Sequence, residues 1–94
     1  MRLELFGAHV DTASSFHFLG EIHCKMDEFP SAVEAFQKAS EMRLNLLGDH
    51  EDTAMSFHRL GLAQCDMGYL NRALASLQKA LQVRNKCSER GNPA

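Results

Sequence analysis

The chain has 94 residues, 45% hydrophobic and 23% charged, with a formal net charge of −2. Such a composition belongs to an ordinary soluble domain, and the length suffices for one. Lysines and arginines are not clustered, which argues against a nucleic-acid partner, and no apolar run approaches the roughly 18 residues of a membrane span.

The opening Met1-Arg2-Leu3-Glu4-Leu5-Phe6 lacks the long apolar stretch and small-residue cleavage site of a signal peptide. A first helix is predicted over about residues 9–26 and a second over about 29–47, with Asp27 at the break between them. Pro30 suits the first turn of the second helix, where a missing N–H is harmless. Gly48 punctuates the next junction. Asp49, with Asp52 three residues later, is the expected cap of a third helix over about 50–67. Gly68 suits a left-handed C-cap, and Asp, its counterpart at residue 27, is the next class tolerated there. A fourth helix follows over about 70–87, and residues 89–94, polar and carrying Gly91-Asn92-Pro93, read as a flexible tail. Three cysteines, Cys24, Cys65 and Cys87, without Cys-x-x-Cys spacing favour reduced thiols and a cytoplasmic setting.

The main signal is an internal repeat. Shifted by 41 residues, the sequence aligns on itself without a gap, and residues 7–47 and 48–88 share seventeen identical positions. They include Gly7/Gly48, His9/His50, Asp11/Asp52, Thr12/Thr53, Phe16/Phe57, His17/His58, Leu19/Leu60, Gly20/Gly61, Cys24/Cys65, Ala32/Ala73, Ala39/Ala80 and Arg43/Arg84. Residues 1–7 match residues 42–48 at five of seven positions, so they read as the tail of a preceding repeat, with Met1 an internal methionine of a longer protein. The expected organisation is that tail, a first unit over 8–47 and a second over 48–88.

Within the units, Phe16-x-x-Leu19-Gly20-x-x-His23 precedes Ala32-x-x-x-Phe36-x-x-Ala39, and Phe57-x-x-Leu60-Gly61-x-x-Gln64 precedes Ala73-x-x-x-Leu77-x-x-Ala80. Leu19, Gly20 and His23 share one stripe of a helix. Gly20 and Ala32 are small where two helices cross, Ala39 is small where the next unit stacks, and Phe16 and Phe36 fill the gaps between. Met1, Met26, Met42, Met55 and Met67 are most simply core or inter-repeat filler.

This pattern resembles the tetratricopeptide repeat. The resemblance covers residues 1–87 and implies an all-α fold of antiparallel helix-turn-helix units stacked as a right-handed α-solenoid. The usual repeat has 34 residues, whereas the period here is 41. Leu-Gly-Asp-His-x-Asp-Thr-Ala at residues 47–54 is similar to the junction of the kinesin light chain type of repeat, which also occurs in ciliary scaffolds and innate-immune proteins. Two positions depart from the pattern: His23 and Gln64 replace the usual Tyr, and Val10 and Glu51 replace the junctional Pro.

The resemblance implies a protein-binding scaffold with a concave groove lined by the first helix of each unit. The groove candidates are Ser14, His17, Glu21, Cys24 and Lys25 in the first unit and Met55, His58, Leu62, Cys65 and Asp66 in the second. This mixed lining lacks the Lys/Asn arrangement that related chaperone-binding modules use to clamp a C-terminal carboxylate, so a peptide of mixed character is the expected ligand. His17 and His58 are expected to make binding pH-sensitive between about pH 6 and 7. Phe18, whose counterpart is Arg59, is expected to face outward, towards a partner or a neighbouring repeat. Leu74, Leu77, Leu81 and Val83 are expected to leave apolar surface where a third unit belongs, so that the chain self-associates end to end or by helix exchange.

Other chemistry is not expected. His17 and Cys24 are seven residues apart, as are His58 and Cys65, which separates them by roughly 10.5 Å of helix rise. Zinc ligands must converge to about 2.0–2.3 Å from the metal. Neither a metal nor another cofactor is anticipated. Glu21 one turn after His17 forms an i, i+4 pair, no third residue orients a Cys/His nucleophile, and the chain reads as a non-enzyme. The alternatives are an enzyme or metal protein built on a helical repeat and, among scaffolds, an oligomerisation module of an immune or ciliary protein rather than a motor-cargo adaptor.

Overall fold

Four helices follow one another through short turns: α1 (Arg2–Lys25), α2 (Phe29–Leu47), α3 (Glu51–Asp66) and α4 (Leu70–Gly91). The computed structural model describes the backbone of residues 2–91 and the side chains of residues 10–88. The expected roles of Met1 and of residues 92–94 lie outside it. The Cα trace measures 39 × 38 × 18 Å, a slab two helices thick.

The turn within each unit is a Schellman motif, which satisfies the last carbonyls of the preceding helix. Asp27 N–H donates to the Cys24 carbonyl and Glu28 N–H to His23; Gly68 N–H and Tyr69 N–H repeat this on Cys65 and Gln64. The residue at the turn is left-handed in both units, Asp27 at φ 61° and Gly68 at φ 84°. The His23 ring and the Glu28 carboxylate lie 2.8 Å apart across the first turn, a contact open to a polar residue at the usual Tyr position.

The junction between units turns at Gly48, φ 66° and ψ −136°, a region that only glycine enters easily. Here the predicted cap is corrected. Asp49 does not cap α3; His50 does, in extended conformation, its Nδ1 accepting the Asp52 N–H at 3.0 Å. The backbone leaves the extended region only after His50, one residue too late for Asp49 to reach the first free amides.

Two helix ends also depart from expectation. α1 starts at Arg2 and passes through Gly7 without a break, so the junction expected there, by analogy with Gly48, falls inside a helix. A junction is made by packing one unit on the next, and among the described residues no helix lies before α1 to turn the chain. α4 continues to Gly91, beyond the predicted end near residue 87, because Ser88, Glu89 and Arg90 offer no breaker before Gly91.

Helix crossings follow the small residues. A Cβ on Gly20 would lie 2.7 Å from the Phe36 ring, and one on Gly61 would lie 2.7 Å from Leu77 Cγ. Each unit therefore closes a helix pair by seating a side chain of its second helix on a glycine of its first. The core between units joins Ala32, Phe36, Leu60 and Ala63, with Cys24, Val33 and Phe57 packed against it. Ala39, Ala73 and Ala80 are also buried. In the second unit Ser76 donates to Gln64 Oε1 at 2.7 Å, so the second departure from Tyr is satisfied inside the core.

Several expected core positions are exposed. Leu19 is 45% exposed although its counterpart Leu60 is 5% exposed, because Leu60 packs on the first unit and, among the described residues, no unit lies on Leu19. Phe16 is half-buried, with Lys38 Nζ 5.4 Å from its ring centre. Met26 and Met55 are exposed rather than filler, while Met42 and Met67 are half-buried. At the far end Leu74 and Leu81 are exposed and Leu77 half-buried, but Val83 is buried, turned to the core face of α4 rather than to the open end.

Candidate functional site

Two helices of one layer, α1 and α3, lie side by side and form two different surfaces along their length. Towards the start of α3 they meet in a closed polar seam. Towards their ends they part into an open cleft.

The seam is built around Arg43 of α2. Nη1 donates to the Asp52 carbonyl at 3.1 Å and to Ser56 Oγ at 3.0 Å, and Nη2 donates to Ser14 Oγ at 3.2 Å. One guanidinium thus joins three helices. His17 Nδ1 stands 3.1 Å from the same Ser56 Oγ. Ser56 Oγ thus touches both the Arg43 guanidinium and the His17 ring. Nε2 lies 3.4 Å from Glu21 Oε2, the expected i, i+4 pair, but not aligned for a hydrogen bond. The imidazole also packs edge-on against Phe36, with ring centres 5.3 Å apart. Burial, and then the Arg43 charge, push the His17 pKa below its ordinary value.

This corrects the placement of His17. It is 3% exposed and belongs to the seam between units, not to an open groove, because α3 lies over it. Burial and the nearby Arg43 charge favour its neutral form. Ser14 is half-buried in the same seam.

The cleft has a volume of about 400 Å³ and is lined by Glu21, Cys24 and Lys25 of α1, by Arg59, Leu62, Ala63 and Asp66 of α3, and by Phe36 of α2. Five of the ten residues expected to line the groove therefore meet there: Glu21, Cys24, Lys25, Leu62 and Asp66. Glu21 and Arg59 face each other across it at 3.7 Å. Burial, followed by the Asp66 carboxylate, pushes the Cys24 thiol pKa up. The cleft thus offers an apolar floor, a protonated thiol and charges of both signs at its rim.

The other candidates lie elsewhere. Met55 and Cys65 are exposed on α3 outside the cleft lining, and His58 lines a separate pocket with Arg84. Phe18 faces outward, 61% exposed. Arg43, Ser56, Arg59 and Ala63 are the contributors that sequence reasoning did not place, while Phe36, expected to fill a gap between helices, also lines the cleft. For Arg43 a signal existed: Arg recurs at residues 43 and 84, as Ser does at 15 and 56. Among the described residues no three His, Cys, Asp or Glu side chains converge as metal ligands. No helix among them is long and apolar enough to cross a membrane.

A family model described as tetratricopeptide repeat matches residues 7–86. No curated protein and no solved structure matches the chain.

Proposed function

The chain belongs to the tetratricopeptide repeat family, and from that premise we propose that it is a protein-interaction scaffold that binds a peptide segment of a partner in the cleft between α1 and α3. The observation that carries this reading is the cleft lining itself: Leu62 and Cys24 flank a floor of Phe36 and Ala63, with Glu21, Arg59, Lys25 and Asp66 around them. The ligand that fits is a segment with one apolar anchor flanked by charges of both signs. The Glu21–Arg59 pair is half-exposed, and either member can exchange its partner for an opposite charge on the ligand with little loss.

The reading is non-catalytic. The Cys24 thiol is pushed towards its protonated form, which is the wrong direction for a nucleophile. His17 is engaged with Ser56 in a closed seam, away from any substrate. The likeness of residues 47–54 to the kinesin light chain junction supports a cytoplasmic scaffold of that type, as do three free cysteines.

Selection of a displayed random-peptide library on the immobilised chain tests the proposal. Affinities of the selected peptides are then measured for wild type, Leu62→Asp, Arg59→Glu and the remote control Asn85→Lys. Loss of roughly tenfold or more in the two cleft variants, with the control unchanged, is expected. Peptides that bind Leu62→Asp and Arg59→Glu as tightly as wild type would exclude the cleft.

A further inference from the structure

The seam between units has an open counterpart at the far end of the slab. A pocket of about 300 Å³ is lined by His58, Leu77, Ala80, Leu81 and Arg84. Moved back by the 41-residue period, these positions are His17, Phe36, Ala39, Ser40 and Arg43, and all five are buried in the first unit. There α3 covers them, bringing Ser56, Leu60 and the Asp52 carbonyl. In the second unit His58, Leu81 and Arg84 are exposed and Leu77 is half-buried.

The covering face has an open counterpart too. Moved back by the same period, Asp52, Ser56 and Leu60 become Asp11, Ser15 and Leu19 of α1, and all three are exposed. The molecule therefore carries both halves of the interface that it already makes internally, one at each end. α2 and α3 stand between α1 and α4 in the stack, so one molecule cannot join its own two halves.

We propose that the α3/α4 end of one chain docks α1 of a second copy, in the register of the internal seam. In that register His58 and Arg84 of the first chain meet Ser15 of the second, as His17 and Arg43 meet Ser56. Arg84 also reaches the Asp11 carbonyl, and Leu19 packs towards Ala73 and Leu77. The third hydroxyl contact of the seam is lost, because Met55 stands where Ser14 is. In exchange, Leu81 replaces Ser40 and Ile22 replaces Ala63; both are exposed and add apolar area to the contact. Charge is compatible as well: residues 70–88 carry Arg72, Lys79, Arg84 and Lys86 with no acidic residue, whereas α1 presents Asp11. The two faces differ, so the contact is heterologous and leaves an unused face at each end after every addition. This docking is separate from the cleft and does not depend on it.

Sedimentation velocity from about ten micromolar to about one millimolar chain tests the proposal, over the range where a small interface of this kind saturates. The weight-average mass of wild type is expected to rise steadily from the 10.5 kDa of one chain, without a plateau at a dimer. Leu19→Glu blocks one end and Leu81→Glu the other; both positions are exposed, so helicity and thermal midpoint serve as controls for folding. Each variant alone is expected to stay monomeric. Mixed, they retain one intact face each and are expected to form a heterodimer and nothing larger. Ser15→Ala, which removes only the bridging hydroxyl, is expected to weaken wild-type association roughly tenfold, as loss of a bond to a charged donor does. A mass independent of concentration, a variant that still self-associates alone, or a mixture that forms no heterodimer overturns the proposal. A stable dimer that survives both substitutions means helix exchange and overturns it equally.

Discussion

The His17 ring and the Ser56 hydroxyl stand 3.1 Å apart across the seam, although 39 residues separate them in the chain. Ser56 accepts a hydrogen bond from Arg43, so the buried imidazole stands close to a guanidinium charge. The folded state thereby opposes protonation of His17, with burial the first cause and Arg43 the second.

A pH dependence of stability follows. The folded-state pKa of His17 is lowered below 6.5, so between that value and 6.5 the unfolded chain binds more protons. Its stabilising contribution is complete above pH 6.5, declines as pH falls through 6.5 towards the folded value, and changes no further below it. The slope in that window is at most about 1.4 kcal/mol per pH unit. Thermal midpoints at pH 7.5, 6.5 and 5.5 check this: wild type is expected to lose more on acidification than His17→Gln, which keeps a hydrogen-bonding group for Ser56 and does not titrate.

Arg43→Met retains much of the apolar stem and removes the three hydrogen bonds. A cost of about 2–4 kcal/mol is expected in chemical denaturation, as for loss of a buried charged donor. The same variant is expected to raise the His17 pKa, because the guanidinium is one of the charges that hold it down. NMR titration of the His17 ring protons reads that shift directly. An unchanged His17 pKa would mean that the Arg43 charge does not act on it.

Gly20 and Gly61 are identical in sequence context but not in consequence. Alanine in a helix interior gains about 1 kcal/mol over glycine. At Gly20 the new methyl meets the Phe36 ring, which is 1% exposed and cannot move aside, and overpacking of this kind costs about 1–3 kcal/mol. At Gly61 it meets Leu77, which is half-buried and borders the open end pocket, and it stands 3.3 Å from the Ala73 carbonyl oxygen. Gly20→Ala is expected to lower Tm by about 4–8 °C, the effect of about 1 kcal/mol net in a domain of this size. Gly61→Ala is expected to lower it less. Equal losses would show that Leu77 and the Ala73 carbonyl together confine the methyl as tightly as Phe36 does.

The cysteines should separate by reactivity. Cys65 is exposed, whereas Cys24 is half-buried and its thiol is pushed up by burial and by Asp66. Timed iodoacetamide labelling followed by peptide mass spectrometry is expected to modify Cys65 well before Cys24. A bound cleft peptide should slow Cys24 further and leave Cys65 unchanged.

The sequence carried the fold further than it carried the site. Its 41-residue period, Gly48, Gly68 and Asp27 place the second helix at its observed bounds and the third and fourth within a residue or two at their starts. Helical spacing also puts Ser14, His17, Glu21 and Cys24 on related faces of α1. Spacing does not say what lies against a face, and here α3 covers its first part and leaves the second open. Identical residues carry no information about position in the stack: Leu19 and Leu60 match in the repeat, yet one is exposed and the other buried. The role of Arg43 was hidden for the same reason, since its partners Ser14, Asp52 and Ser56 come from two other helices.

That single guanidinium also bears on how the molecule comes apart. Because Arg43 of α2 hydrogen-bonds to both α1 and α3, loosening any one of the three breaks part of that set, and they are expected to open together as one cooperative block. α4 has no such tie: its counterpart Arg84 is exposed, and it rests mainly on α3. Amide exchange is therefore expected to be fastest in α4 among the described helices, with loosening starting at the end where a docked helix would protect it.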